Sequence, residues 1–247
     1  MPTSGRPALV LLGSLAATRE MWQLQLPFWS RHFEPIAWDY HGHGNGLEPS
    51  RMTSAASIAD CVLADLDRQG VDRFHLVGIS LGGMVALQIA QRAPARVLRL
   101  VASHCRYYQT PATREAWDER IALVARAGMA AVEDATVERW LSPATRAEFA
   151  PRVELVRTMM RSVTPASYAA CAGAVRDFDA RAWVRTIAAP TLLVAGSADL
   201  AAPAEHVDEL AGCIAGARCT RIPQGHHVPT LDTPQFYTRL VEDFLRA

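Results

Sequence analysis

The chain contains no lysine: all 25 of its basic residues are arginine. That absence excludes a Schiff-base lysine and the lysine of a phosphate-binding loop, so covalent chemistry through a side-chain amine is ruled out. An excess of charge of either sign is missing too. Twenty-five acidic residues balance the arginines, the formal net charge is +0, and the pI is near 7.1. Such a balance argues against nucleic acid or an anionic membrane surface as the main partner. No run approaches the roughly 18–20 apolar residues of a membrane helix. Met1–Pro7 is short and polar and lacks the layout of a signal peptide. The five cysteines, Cys61, Cys105, Cys171, Cys213 and Cys219, are scattered, odd in number and form no C-x-x-C pair. They read as reduced thiols of a cytoplasmic protein, mostly filling core.

What is present is a globular chain. Of 247 residues, 50% are hydrophobic and 20% charged, which is ample for a sizeable core. The first part alternates strand and helix patterns. Ala8–Leu12, Phe33–Trp38, Arg73–Val77 and Val97–Ala102 read as strands. Arg19–Arg31, a segment from a Thr53 or Ser54 cap to Gln69, and Gly82–Arg92 read as helices. Asp39–Gly46 is a loop rich in glycine and histidine. From Thr110 to about Val184 only helical patterns occur: Arg114–Ala127, Met129–Leu141, Arg152–Arg161 and Pro165–Arg176. The strand rhythm then returns with Thr191–Ala195, helix Ala204–Ala215, strand Arg218–Ile222 and helix Pro234–Arg246. Apolar strands alternating with helices predict a mostly parallel sheet covered on both faces. Residues 1–110 and 185–247 form that core. Residues 111–184 form a helical cap over its ligand-binding edge.

The chemistry centres on Gly78-Ile79-Ser80-Leu81-Gly82-Gly83. It stands between a strand and a helix, the context that gives a G-x-S-x-G match its meaning. The turn is sharp and the serine backbone strained. Side chains two positions away on either side would collide, so glycine is needed at 78 and 82. The Ser80 oxygen then stands clear at the top of the sheet as a nucleophile. The alternative is a glycine-rich turn with an ordinary capping serine.

A serine nucleophile needs a base, and the base needs an orienting acid. With such an elbow the chain order is serine, acid, histidine. Asp199 falls in the loop after the strand Thr191–Ala195, where the acid belongs; Asp177, Asp179 and Asp208 are the other candidates. The base is His226 or His227. The run Ile222-Pro223, then His227-Val228-Pro229-Thr230-Leu231-Asp232-Thr233-Pro234, favours His227. His75 reads as a core or edge residue. His32, His104 and His206 read as surface residues. His41 and His43 lack a third ligand and make a weak metal site, so no metal is assigned. An oxyanion hole needs backbone N–H donors. Leu81, after the nucleophile, should supply one, and Leu15, in the loop Gly13-Ser14-Leu15-Ala16, the other.

These motifs together resemble the α/β-hydrolase superfamily. Gly13-Ser14-Leu15, Met21-Trp22, Gln25-Leu26-Pro27, Gly42-His43-Gly44, Gly78–Gly83, Thr136-Val137-Glu138-Arg139-Trp140, Tyr168-Ala169-Ala170-Cys171 and Pro190-Thr191-Leu192 are similar, more narrowly, to the 3-oxoadipate enol-lactonases. The likeness runs over nearly the whole chain. It departs at His41, where the family usually has arginine, at His226, where a small residue is commoner, and before Ala8, where a strand hairpin is usual. The family pattern places the cap after its sixth strand position. The resemblance implies aromatic catabolism, in which a small carboxylated enol-lactone is opened to 3-oxoadipate through an acyl-enzyme, with no metal or organic cofactor. Ser14, Arg139 and Trp140 are then the substrate-binding candidates. Arg139 would meet the carboxylate, since a guanidinium pairs carboxylates bidentately.

The expected partner is a small-molecule substrate, with neither nucleic acid nor membrane. Oligomeric state is left open, a homo-oligomer included. Rival readings are a general carboxylesterase, a carbon–carbon bond hydrolase of the meta-cleavage type, and a non-catalytic receptor holding a small ligand under the cap. Haloalkane dehalogenase and epoxide hydrolase chemistry is disfavoured, because both use aspartate where this chain has Ser80.

Overall fold

The structure, a computed structural model, describes residues 5–44 and 52–247. Met1–Ser4 and the last two residues of the glycine- and histidine-rich loop, Asn45 and Gly46, lie outside the described residues. The first part of the chain gives β1 (Ala8–Leu12), a 3-10 turn (Arg19–Trp22), α1 (Leu26–Trp29), β2 (Glu34–Trp38), α2 (Ala55–Arg68), β3 (Phe74–Ile79), α3 (Leu81–Arg92) and β4 (Val97–Ser103). Five helices follow without a strand: α4 (Pro111–Ala127), α5 (Glu133–Trp140), α6 (Pro143–Glu148), α7 (Ala150–Arg161) and α8 (Pro165–Arg176). The chain closes with β5 (Thr191–Gly196), α9 (Ala204–Cys213), β6 (Arg218–Ile222), α10 (Pro229–Asp232) and α11 (Pro234–Arg246).

The six strands form one sheet in the order β2-β1-β3-β4-β5-β6, and every neighbouring pair is parallel. Every residue of β1, β3 and β5 is buried. A strand with no exposed alternate positions must be covered on both faces, as parallel sheets are. The edge strands β2 and β6 are more exposed. The order reverses between β1 and β3. Ligands of open α/β sheets bind at such a switch point, beyond the carboxyl ends of the strands. The register brings those ends level: Leu12 pairs with Gly78, Ile79 with Ser103, Ser103 with Val194, and Gly196 with Ile222. The loops that follow β1, β3, β4, β5 and β6 therefore emerge along one edge.

Local chemistry accounts for most boundaries. Ser54 caps α2 in a capping box with Ser57. Thr110, Ser142 and Thr164 cap α4, α6 and α8, each followed by proline at the first helical position. Four features depart from the expectations drawn from the sequence. Arg19–Arg31 is not one helix but a 3-10 turn and a single α-turn. Its apolar density reflects burial of Met21, Trp22 and Trp29 rather than a helical face. Gln25 breaks the run by turning inward, donating from Nε2 to the Thr230 carbonyl at 3.1 Å and the Thr238 hydroxyl at 3.3 Å. The helical segment also follows the fourth strand of the sheet rather than a sixth, because the sheet described here starts at β1 without the hairpin counted in the family pattern. Met129–Leu141 divides into a 3-10 turn and α5, and α6 and α10 are short helices that periodicity did not reveal. Among the described residues no helix is long and apolar enough to cross a membrane. Cys105 and Cys171 are buried and Cys219 is exposed.

Candidate active site

Ser80 sits between β3 and α3 with φ 57° and ψ −117°, a backbone conformation that costs energy for any residue but glycine. Its surroundings hold it there. The Ser80 N–H donates to the Ser103 carbonyl at the end of β4, 2.9 Å away. A Cβ at Gly78 would fall on the Gly82 carbonyl, and one at Gly82 on the Leu12 carbonyl. The two glycines are therefore required by close backbone approach, as the elbow geometry demands.

Three loops converge on this turn. His227, between β6 and α10, accepts the Ser80 hydroxyl at Nε2, 2.8 Å away. Its Nδ1–H donates to Asp199 Oδ2, also at 2.8 Å. Asp199 lies beyond β5, its side chain fully buried. Its Oδ1 accepts from the amides of Ala201 at 2.8 Å and Ala202 at 3.1 Å. Burial alone would raise the pKa of this carboxyl. The neighbouring His227 and His104 outweigh that effect and hold it well below the ordinary carboxylate range. Asp199 is thus an ionised acceptor able to fix one tautomer of the imidazole and stabilise its protonated form.

The loop after β1 is drawn onto the same turn. The Gly13 carbonyl accepts from the Gly82 N–H at 3.0 Å and the Tyr40 hydroxyl at 2.7 Å. Ala16 has a left-handed backbone, φ 68°, and its N–H donates to His43 Nε2 at 3.2 Å. His43 Nδ1 in turn lies 2.9 Å from the Ser167 hydroxyl of α8. This framework presents Leu15 beside the elbow, with no hydrogen-bond partner on its N–H among the described residues. Leu81 opens α3, where the first N–H groups of a helix have no partner within it. Both expected oxyanion donors are placed at the site. His43, weighed above as a metal ligand, serves instead as a buried brace.

A cavity of about 220 Å³ opens over Ser80. Ser14, Leu15, Arg139, Trp140 and His227 line it, as does His104. Its walls also carry Tyr168, from the motif Tyr168–Cys171, and Arg106, Gln109, Trp117 and Arg120, which belong to no motif recognised in the sequence. Among the described residues no acidic side chain lines it and none forms an ion pair with Arg106, Arg120 or Arg139. Arg120 Nη2 donates to Thr136 Oγ1 at 2.5 Å, and its guanidinium lies over Trp117 at 5.7 Å and Tyr168 at 5.9 Å. Burial, and then the nearby Arg120, lower the pKa of Arg139. Both amide atoms of buried Gln109 lack a protein partner among the described residues. The spacing of Trp117 and Arg120, three apart on one helix, was a legible sign of a shared face.

The helical segment also anchors the base. The amides of His227 and Val228 donate to the carbonyls of Arg139 and Trp140, each at 3.3 Å. Asp232 Oδ1 accepts from the Ser142 N–H at 2.8 Å and its Oδ2 from the His226 N–H at 3.3 Å. His226 is directed away from Ser80, with Nδ1 3.1 Å from the Gln224 carbonyl. One expectation is overturned: His104 is not a surface residue but has no exposure at all. It follows β4 directly, and its Nδ1 lies 2.9 Å from Asp199 Oδ2. His32 and His206 are partly exposed, and His75 is buried on β3.

Comparison with known proteins agrees with this architecture. Among curated relatives, a Variovorax paradoxus protein named as a candidate carbamate hydrolase, RutD, is 31% identical over 99% of this chain and 93% of its own length. A hydrolase of known structure from Pseudomonas aeruginosa is 36% identical, with a TM-score of 0.92 over 99% of this chain and 92% of that one. The enol-lactonase structure from Burkholderia xenovorans is 27% identical, with a TM-score of 0.95 over 100% of this chain and 94% of that one. The family model described as the alpha/beta hydrolase fold matches residues 7–234. This chain belongs to the alpha/beta hydrolase fold family.

Proposed function

We propose that the protein is a serine hydrolase that opens a small carboxylated lactone, of the 3-oxoadipate enol-lactone kind, with helices α4–α8 acting as the cap over the site. The observation that carries the substrate class is the cavity wall: among the described residues it holds three arginines and no carboxylate, with Ser80 beneath. A cationic pocket of this size favours a small anion. Arg139 supports the reading further, because it has no ion-pair partner among the described residues and a guanidinium pairs a carboxylate bidentately. Trp140 and Ser14 stand beside it on the wall.

In the proposed mechanism His227 Nε2 takes the Ser80 proton as Oγ attacks the lactone carbonyl. The N–H groups of Leu15 and Leu81 stabilise the alkoxide of the tetrahedral intermediate. Collapse expels the ring oxygen as an enolate, which takes at carbon the proton that His227 received from Ser80 and becomes a ketone, leaving His227 neutral. Water, deprotonated by His227, then attacks the acyl-serine and releases the second carboxylate, restoring Ser80. The net reaction is lactone plus water to a keto acid. Asp199 keeps His227 in the reactive tautomer throughout.

A second reading, carbamate hydrolysis, is favoured by the 31% identical relative named for it. A small carbamate carrying a carboxylate would suit the same cationic wall. An ester hydrolase without a carboxylate requirement uses the same serine, and the arginines argue against it. The test is the ratio of kcat/KM for 3-oxoadipate enol-lactone to that for its neutral methyl ester. A charge-assisted pair contributes about 1.5–3 kcal/mol, so the ratio should be about 10–100. In Arg139→Ala it should fall towards one. Equal rates on both substrates in the wild type would contradict carboxylate recognition, and faster turnover of a carbamate would favour the second reading.

A further inference from the structure

Asp199 Oδ2 accepts from two imidazoles, one more than the relay to Ser80 needs. His227 Nδ1 lies 2.8 Å from it and His104 Nδ1 2.9 Å. The rings stand edge to face, 6.2 Å apart and at 81°. The fold accommodates His104 at some cost. Its backbone is left-handed, φ 51°, which is uncommon for a residue other than glycine, asparagine or aspartate. The conformation is held by its N–H donating to the Val194 carbonyl at 2.7 Å. On β5, Gly196 leaves the space the ring occupies, since a Cβ there would lie 2.7 Å from His104 Cε1.

We infer that His104 is a positioning residue for the relay, setting through its Nδ1–H bond the orientation and strength with which Asp199 holds His227. This inference rests on the reading of Ser80, His227 and Asp199 as the reacting relay. An ionised carboxylate only accepts, so His104 carries its proton on Nδ1 and leaves Nε2 bare. That Nε2 is buried without a protein partner among the described residues, in a ring that lines the cavity. With Oδ1 tied to two backbone amides and Oδ2 to two imidazoles, the carboxylate cannot rotate. Burial lowers the basicity of His104 and keeps it neutral, although Asp199 pulls the other way. A neutral donor steadies Asp199 without adding a positive charge that would oppose protonation of His227. The other groups acting on this centre are His227 and Asp232 on His104, and Cys105, Arg106 and Arg139 coupled to Asp199.

The test compares His104→Phe, which removes the donor, with His104→Asn, which places an amide donor near the Nδ1 position and tolerates the left-handed backbone. Turnover of p-nitrophenyl acetate is measured from pH 5 to 9. His104→Phe should lower kcat about tenfold and move the acid limb of kcat/KM about half a pH unit upward, because an Asp199 relieved of one donor binds the His227 proton more tightly. His104→Asn should restore both. Wild-type kcat and an unmoved limb in His104→Phe would overturn the inference, as would His104→Asn behaving like His104→Phe. Nitrogen-15 NMR of the wild-type imidazoles gives a readout free of folding and turnover. A proton on His104 Nδ1 with Nε2 bare supports the inference, and the opposite tautomer overturns it. Ser80→Ala is run alongside. Full activity in that variant overturns the relay and this inference together. Loss of activity there, with inert His104 variants, overturns this inference alone.

Discussion

Asp199 is the residue on which the site's electrostatics converge. It accepts two imidazole and two amide hydrogen bonds in a place without solvent. Asp199→Asn keeps the shape but turns an acceptor into a mixed group and allows the wrong imidazole tautomer. A loss of kcat of about 10⁴ is expected, with circular dichroism unchanged. A loss below tenfold would show that Asp199 does not orient the base. The three residues of this relay were legible in the sequence because each follows a recognisable strand and the glycine spacing fixes the elbow. His104 was not. It lies 95 residues from its partner Asp199. A single histidine after a strand looks the same in sequence whether it faces solvent or a carboxylate. Gln109 was hidden for a related reason, since a polar residue in a loop reads as solvated until the fold closes a cavity over it.

At the level of elements, turns and caps were read more surely than apolar density. Ser54 opens α2 as expected, accepting from the Ser57 N–H at 3.1 Å while Ser57 Oγ accepts from the Ser54 N–H at 3.0 Å. Ser54→Ala removes one arm of this capping box. The expected cost is about 1 kcal/mol by urea unfolding, with kcat on the same substrate unchanged. No change in stability would mean that α2 is held by packing alone. Arg19–Arg31 shows the opposite case. Its aromatic and apolar residues suggested a helix, but burial from several sides produces the same composition without a period. The helical segment α4–α8 was recognised because prolines and caps punctuate it. Its backbone bonds to His227 and Val228 could not be foreseen, because main-chain contacts leave no mark on residue identity.

Across the whole molecule, His43 joins three regions: the loop after β1 through Ala16, the loop after β2 that carries it, and α8 through Ser167. Burial lowers its pKa from 6.5 to about 4. The unfolded chain takes up a proton as pH falls through 6.5, and the native state refuses it until about pH 4. Stability is therefore full above 6.5, declines between 6.5 and 4, and levels off below. The contribution of this one group is about 3 kcal/mol. Urea unfolding between pH 7 and 4 should show that decline, and His43→Gln should show a shallower one whatever its stability at neutral pH. Parallel slopes in the two proteins would place the acid sensitivity elsewhere. The parallel α/β architecture behind this bracing was plain from the alternation of strands and helices. The strand order was not, because β3 pairs with β1 rather than with β2, and nothing in the residues of three similar apolar strands marks which of them lies between the other two.

The central claim is that Ser80 opens a carboxylated lactone. Its most direct test is the initial rate of 3-oxoadipate enol-lactone hydrolysis by wild type and Ser80→Ala, with p-nitrophenyl acetate as a neutral reference. Fast lactone opening and weak ester cleavage are expected, with loss of both in Ser80→Ala by at least about 10⁴ in kcat. Efficient ester cleavage with no lactone opening, or lactone opening that survives in Ser80→Ala, would contradict that claim.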